Sequence, residues 1–234
     1  MEKGAKIYEG KAKILHATSD PDLVIQYFKD DATAFNAAKK GTVTDKGIMN
    51  NKISTRIFEF LEAEGVPTHF EKRLNDREML VKKVEIVMIE VIVRNRAAGS
   101  LCRLLGLEEG LALKHPVLEY CYKRDDLNDP LINESHISAL GLATPEELDK
   151  IKTCALKINE LMSRFFSNLN LDLIDFKLEF GRYKGDIILA DEISPDTCRL
   201  WEKGTGKKLD KDRFRHDLGN IEEAYQEVLA RVSG

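Results

Sequence analysis

Apolar and polar positions alternate with a period of two in the stretch from Asp172 to Trp201. Asp175, Lys177 and Glu179 interleave with Phe176, Leu178 and Phe180, so one strand face is charged and the other apolar. A turn follows at Gly181 to Gly185, then a run rich in β-branched residues from Asp186 to Ile193. The pattern predicts a hairpin. With the loop Tyr183-Lys184-Gly185, Gly185 takes the left-handed position of a three-residue connection. Phe180 then faces Ile188, Leu178 faces Ala190, Glu179 faces Leu189 and Lys177 faces Asp191. That register gathers Asp175, Lys177, Glu179 and Asp191 on one face, and a change of one residue in the loop would move Asp191 to the other. Such a face is commonly a solvated surface. It could equally hold a divalent cation between Glu179 and Asp191, hard oxygen ligands that would otherwise repel each other. The hairpin alone leaves both readings open.

The same patterning predicts further elements. Lys6 to Ala17 reads as two short strands broken at Gly10, and Leu23 to Phe28 as another after the turn at Asp20-Pro21. Thr44 to Gly65 reads as a helix with an apolar stripe of Ile53, Ile57, Phe60 and Leu61, closed by Gly65. Strands follow near Thr68 to Lys72 and Met79 to Val84, and Ile86 to Val93 is apolar enough for a buried central strand. Thr144-Pro145-Glu146-Glu147 is a capping box opening a helix through Phe166. Its stripe of Leu148, Ile151, Ala155, Ile158, Leu161 and Phe165 is expected behind the apolar face of the hairpin. Ser194 to Trp201 reads as a loop. Lys211 to Leu218 and Asn220 to Val232 read as helices, the last with Ile221, Tyr225 and Leu229 at spacing four.

Two further stretches carry candidate chemistry. Tyr8 to Lys13 places a glycine turn beside Lys11 and Lys13. A flexible turn with same-face lysines can lie over a polyphosphate, although an ordinary hairpin with solvated lysines is the commoner outcome. Arg94-Asn95-Arg96-Ala97-Ala98-Gly99-Ser100-Leu101 leaves the end of the buried strand and enters a short helix through Leu105. Small residues let a ligand approach, and arginine offers a planar fork for phosphate or carboxylate. The alternative is a strand-to-helix turn with structural arginines. An arginine directly after a buried strand needs a partner in either case.

Composition narrows the class. The 234 residues suit one large or two small domains, with 43% apolar and 32% charged positions. Thirty-six basic residues against 40 acidic ones give a net charge of −4, so nothing global attracts nucleic acid or an anionic membrane. The four cysteines form no CxxC pair and the five histidines have no metal-ligand spacing. No signal peptide and no run of 18 apolar residues is present, so a soluble intracellular protein is expected. A lysine-bearing turn, an arginine cradle and a carboxylate pair suited to Mg²⁺ together suit an enzyme that moves a phosphoryl group.

At these residues the chain resembles the SAICAR synthetases of purine biosynthesis. The matching stretches are YEGKAK (8–13), NNKIS (50–54), VPTH (66–69), EVIVRNRAAGSL (90–101), NDP (128–130), DFKLEFG (175–181), DEISPDTCRLW (191–201) and KDRFR (211–215). They run from end to end of the chain, in the short single-function form. The resemblance implies an α+β, two-lobed, ATP-grasp-like fold with antiparallel sheets sandwiching ATP. It implies lobes at residues 1–83, with a phosphate-covering hairpin, and 84–234, with the metal and CAIR sites. It further implies that Lys11 and Lys13 meet the ATP phosphates, Lys82 lies near the adenine, and Glu179 and Asp191 hold Mg²⁺. Arg94, Ser100 and Arg199 would bind the phosphate of the nucleotide CAIR, and Asp129 would contact the same substrate. Lys177 and Asp175 would act at the reacting carboxylate, Asp175 as candidate base. CAIR and L-aspartate are the implied substrates, and a cytoplasmic homodimer the implied state. A small-molecule kinase and a non-catalytic nucleotide-binding module are the alternatives. The first would need no amine substrate and the second no metal carboxylates.

Overall fold

A computed structural model describes residues 2–34 and 39–234. Short strands with alternating or fully apolar patterns build two antiparallel sheets. The first has strands β1 (Lys6–Glu9), β2 (Lys13–Ala17) and β3 (Leu23–Phe28). A two-stranded ribbon of β4 (Asp31–Ala34) and β5 (Lys39–Thr42) follows. Helix α1 (Lys46–Ala63) then leads to β6 (Phe70–Arg73) and β7 (Glu78–Lys82), giving the order β1-β2-β3-β7-β6. Ile53, Ile57, Phe58 and Leu61 of α1 are buried against this sheet. Phe60 of the expected stripe is only half-buried and meets Phe165 at 4.9 Å between ring centroids.

The second sheet begins at β8 (Glu85–Arg96), directly after β7. Helix α2 (Ser100–Leu105), β9 (Ala112–Tyr122), β10 (Leu131–Ile132) and α3 (Glu134–Ala139) follow. Next come α4 (Pro145–Asn168), β11 (Leu171–Tyr183), β12 (Asp186–Ala190) and β13 (Cys198–Glu202). The order is β10-β9-β8-β11, with β12 and β13 both pairing with β11 along its far edge. Thr144 and Glu147 form the expected capping box of α4, whose apolar stripe packs on β11 and β8. The chain ends in α5 (Asp212–Arg215) and α6 (Ile221–Ser233). Helix α6 returns to pack on α1 through Tyr225, Val228 and Val232, so the last segment braces the first sheet. The two sheets also touch where Thr68 bridges Leu189. His69 N donates to Leu189 O at 2.7 Å, and Leu189 N donates to Pro67 O at 3.0 Å.

Several expectations are corrected. Part of the stretch read as a loop is strand β13, and the helix expected over Lys211 to Leu218 is confined to α5. In α6 the buried positions are Ala224, Tyr225, Val228 and Val232, with Ile221 and Leu229 only half-buried. The hairpin loop has two residues, Lys184 and Gly185, at φ 50° and 90°, as a type I′ turn requires. Glu179 therefore pairs with Ala190, and Phe180 with Leu189. Ile187 to Ala190 is apolar at every position, so its sequence has no period to set the register. Strand β11 does have one, and its apolar face of Phe176, Leu178 and Phe180 is fully buried.

Candidate active site on the charged face of the second sheet

The register across the six strands of the second sheet assembles the site. Residues directly opposite each other in a sheet share a face. One row runs Ala190, Glu179, Glu90, Cys121, Leu131. The next runs Lys177, Ile92, Glu119, and the third Arg199, Asp175, Arg94, Val117. The period-two alternation of β11 thus places Asp175, Lys177 and Glu179 on a single face. That face is not solvated. Asp175 and Glu179 are each 4% exposed and Arg94 2%, and each is paired, as burial of such groups requires.

The first row and its rim form a lysine–carboxylate cluster. Lys177 Nζ donates to Glu179 at 2.6 Å and Glu90 at 2.9 Å, and lies 3.6 Å from Asp191. Lys123 reaches Glu179 at 3.0 Å. Lys13 pairs with Asp191, and with Glu192 at 3.2 Å. Burial opposes charge on Glu179, yet Lys177, Lys123 and Lys13 more than offset it and hold the carboxyl well below its usual range. Burial likewise opposes charge on Lys177, but Glu179 and Glu90 hold its ammonium well above the ordinary lysine value. For Lys13 burial wins, and its pKa falls.

Asp191 joins this cluster by a route the strand pattern did not foresee. In the observed register it would continue opposite Leu178, on the apolar face. Strand β12 stops at Ala190, and Asp191 adopts φ 65°. That left-handed residue turns the carboxylate back toward Lys13 and Lys177. Aspartate tolerates the conformation better than most residues.

The third row forms an arginine pair around one carboxylate. Arg94 donates to Asp175 at 2.6 Å, Glu119 at 2.9 Å and Ser100 Oγ at 2.8 Å. Arg199 donates to both Asp175 oxygens, at 3.0 and 2.8 Å, and to Asp212 at 2.8 Å. Gly99, at φ 54°, lets the turn close under Arg199; a Cβ there would sit 2.4 Å from Arg199 Nη2. Ser100 is the first residue of α2 rather than its cap, and its hydroxyl faces Arg94. Arg94, Ser100, Arg199 and Asp175 are therefore brought together as one group.

The remaining expected residues lie around this face. Lys11 pairs with Asp125 at 2.8 Å on the exposed turn Asp125–Leu127. Asp129 accepts from the Arg124 backbone at 2.9 Å, and burial, followed by the nearby Glu90 charge, raises its pKa. Lys82 sits at the sheet–sheet bridge, donating to Thr68 O at 3.0 Å and pairing with Glu71 at 3.3 Å. Beside it His69 is buried, its Nε2 without a partner among the described residues, and burial pushes its pKa down to about 3.

Sequence patterning missed Glu90, Glu119, Glu192 and Asp212, while Lys123 opens a polar stretch, Lys123 to Pro130, that reads as a turn able to contact a ligand. Glu90 was detectable, being the one charge inside IVMIEVIV, where a buried strand demands a partner. Among the described residues no three His, Cys, Asp or Glu side chains are grouped to hold a metal by themselves. The donor set nevertheless fits Mg²⁺, which is commonly bound by one or two carboxylates together with substrate phosphates. Glu179 and Asp191, both contacted by Lys177, are the two carboxylates that would supply it.

Fold and site define an α+β protein whose second sheet buries a face of paired lysines, arginines and carboxylates. The family model for SAICAR synthetase matches residues 6–232. A phosphoribosylaminoimidazole-succinocarboxamide synthase of Caldanaerobacter subterraneus is 60% identical over 232 residues, 99% of each chain. The crystal structure of the Ehrlichia chaffeensis synthase aligns with TM-score 0.96 at 49% identity, over 98% of both chains. A SAICAR synthetase in complex with ADP aligns with TM-score 0.94 at 46% identity, over 97% of both. The chain belongs to the SAICAR synthetase family, ligases of purine biosynthesis.

Proposed function

We propose that the protein joins the carboxylate of CAIR to the amine of L-aspartate, forming SAICAR while ATP becomes ADP and phosphate. The observation that carries this reading is the sheet face itself. It sets a lysine–carboxylate cluster beside an arginine pair, in a chain of the SAICAR synthetase family. ATP lies between the two sheets, in an ATP-grasp-like arrangement, with the β1–β2 turn over its phosphates and Lys82 toward the adenine. The lobes divide at residues 83 and 84, where β7 passes into β8.

The chemistry explains the residue types. A carboxylate is a poor acyl donor because oxide leaves badly; phosphorylation converts it to an acyl phosphate that an amine can attack. The γ-phosphoryl and the CAIR carboxylate are both anionic. Two unit charges about 4 Å apart repel by roughly 4 kcal/mol at an effective dielectric of 20. Lys177 sits centrally on the face and offsets that repulsion while it positions the acceptor oxygen. Lys11 and Lys13 leave their internal carboxylates for the ATP phosphates. Glu179 and Asp191 would hold Mg²⁺, which supplies charge neutralisation on the transferring phosphoryl group. Arg94, Arg199 and Ser100 bind the CAIR phosphate, and Asp129 contacts the same substrate. Asp175 suits bracing the arginine pair better than removing a proton, because both its oxygens already accept guanidinium hydrogen bonds.

Both substrates are small molecules; neither nucleic acid nor membrane is a partner in this reading. No described helix is long and apolar enough to cross a membrane. The four cysteines are free thiols, which suits a reducing cytoplasm, and a homodimer is the proposed assembly. The test is coupled ADP release with ATP, Mg²⁺, CAIR and L-aspartate, omitting each in turn. Release that requires both organic substrates is expected; release without L-aspartate would instead favour a kinase.

A further inference from the structure

Asp175 reaches the charged face because strand β11 breaks its own alternation. Leu171 and Leu173 are buried in the core, while Asp172 lies opposite Trp201. Odd-numbered residues therefore face the core at the start of the strand. From Phe176 onward the even-numbered residues do so, with Phe176 opposite Val93 and Leu178 opposite Val91. The switch falls at the fully buried Ile174, where the pairing with β13 shifts between Leu173 and Asp175. One extra residue at a bulge moves every later side chain to the other face. Continued unbroken from Leu173, the strand would turn Asp175 into the core and leave Arg94 and Arg199 with no carboxylate between them.

A polar network lies behind the switch. Asn95 follows the buried Val91 and Val93 on the core side of β8. The ladder between β8 and β11 extends to Arg94, opposite Asp175, and the pairing of β8 with β9 shifts between Arg94 and Arg96. Asn95 thus stands at a break in both ladders. Its Nδ2 donates to Leu173 O at 3.1 Å, a side-chain donor where a regular ladder would use a backbone one. The same Nδ2 donates to Asn159 Oδ1 at 2.8 Å, and Asn159 Nδ2 donates back to Asn95 Oδ1 at 3.0 Å. Asn159 is 6% exposed, on a stretch of α4 whose Ala155, Ile158 and Met162 are wholly buried. Buried amides cost stability unless they are bonded, and here each engages both ends of the other. The reciprocal pair fixes which way the Asn95 amide points and so keeps its donor on Leu173 O.

We propose that Asn95 and Asn159 are positioning residues for the nucleotide substrate: they hold the bulge at Ile174 and, through it, keep Asp175 between Arg94 and Arg199. This rests on the reading above in which that arginine pair binds the CAIR phosphate. Both asparagines act from the core side of the sheet, opposite the face on which the ligand lies. Asp175 accepts from both guanidinium groups, so a displaced Asp175 carboxylate displaces both phosphate-binding arginines at once.

The test is steady-state kinetics on the full chain with Asn95→Leu and Asn159→Leu, which keep the side-chain volume and remove the amide. Asn95→Leu loses the bond to Leu173 O and should raise the KM for CAIR about 10-fold, the scale of one hydrogen bond. The KM values for MgATP and L-aspartate should stay within about twofold. Asn159→Leu leaves the Leu173 bond but frees the Asn95 amide to turn, and should raise the CAIR KM about threefold. It decides the matter if Asn95→Leu does not fold. A merely structural role would lower stability to urea and leave the CAIR KM of the folded protein unchanged. Arg199→Met should raise the CAIR KM by itself, and adding either asparagine variant should raise it by clearly less than the product of the single effects. An unchanged CAIR KM in whichever variant folds overturns the positioning role, as does an equal loss of MgATP affinity or full multiplication in the double variant. A wild-type CAIR KM in Arg199→Met overturns the arginine-pair reading and the positioning role with it. A raised KM in Arg199→Met beside indifferent asparagine variants overturns the positioning role alone.

Discussion

Glu179 receives two ammonium groups, Lys177 at 2.6 Å and Lys123 at 3.0 Å, and is 4% exposed. Replacing it with glutamine keeps the shape and removes the charge. Lys177 would retain Glu90, so the fold should survive, but the proposed metal pair would lose a ligand. Glu179→Gln is expected to lower kcat at least ~100-fold at saturating substrates, the usual scale for losing electrostatic stabilisation of a transferred group. Coupled ADP release measures it, and near-normal turnover would remove Glu179 from that pair. At this scale the sequence was partly legible. The alternation in DFKLEFG marked Asp175, Lys177 and Glu179 as one set. It could not mark Glu192 or Asp212 as their associates, because the first lies in the loop after β12 and the second opens the four-residue helix α5, too short to show a period.

Elements explain what local pattern could and could not reveal. The long helices were legible because capping box, stripe and closing glycine agree. Strand β9 gave little signal because Pro116 interrupts it. The strand tolerates proline there because β10 covers only Cys121 and Tyr120, and the pairing with β8 shifts between Arg94 and Arg96. The turn between β8 and α2 depends on one backbone conformation. Gly99 has φ 54° and ψ −122°, a region that side chains avoid, and it backs directly onto Arg199. Gly99→Ala should therefore destabilise the fold by about 1–3 kcal/mol and push Arg199 away from Asp175. Urea unfolding and CAIR titration read the two effects separately. A variant that kept both stability and CAIR affinity would show that the turn has room the distances deny.

On the scale of the whole molecule, the two sheets are joined at Thr68–His69 against Leu189, and His69 is a buried titratable group at that joint. Its ring lies edge-on to Phe58 at 5.3 Å between centroids, and its Nε2 has no partner among the described residues. Burial, with Lys13 and Lys82 nearby, lowers its pKa from 6.5 to about 3. The folded state therefore binds fewer protons than the unfolded chain between those values. His69 contributes stability that is fully present above pH 6.5 and is lost as pH falls toward 3, at up to about 1.4 kcal/mol per pH unit. Asp210 acts in the opposite sense. Burial and the adjacent Asp212 raise its pKa from 3.8 to about 7, so its contribution is full below pH 3.8 and is lost as pH rises through 7. The two slopes largely cancel between pH 4 and 6, and wild type should show a flatter acid limb than either group implies. His69→Leu removes one of them. Its stability, measured by urea unfolding at intervals from pH 7 to 4, should rise relative to wild type as pH falls, by about one proton's worth of slope. A difference independent of pH would mean that His69 is protonated, or solvated, in the folded protein, and that the joint between the sheets is open to water.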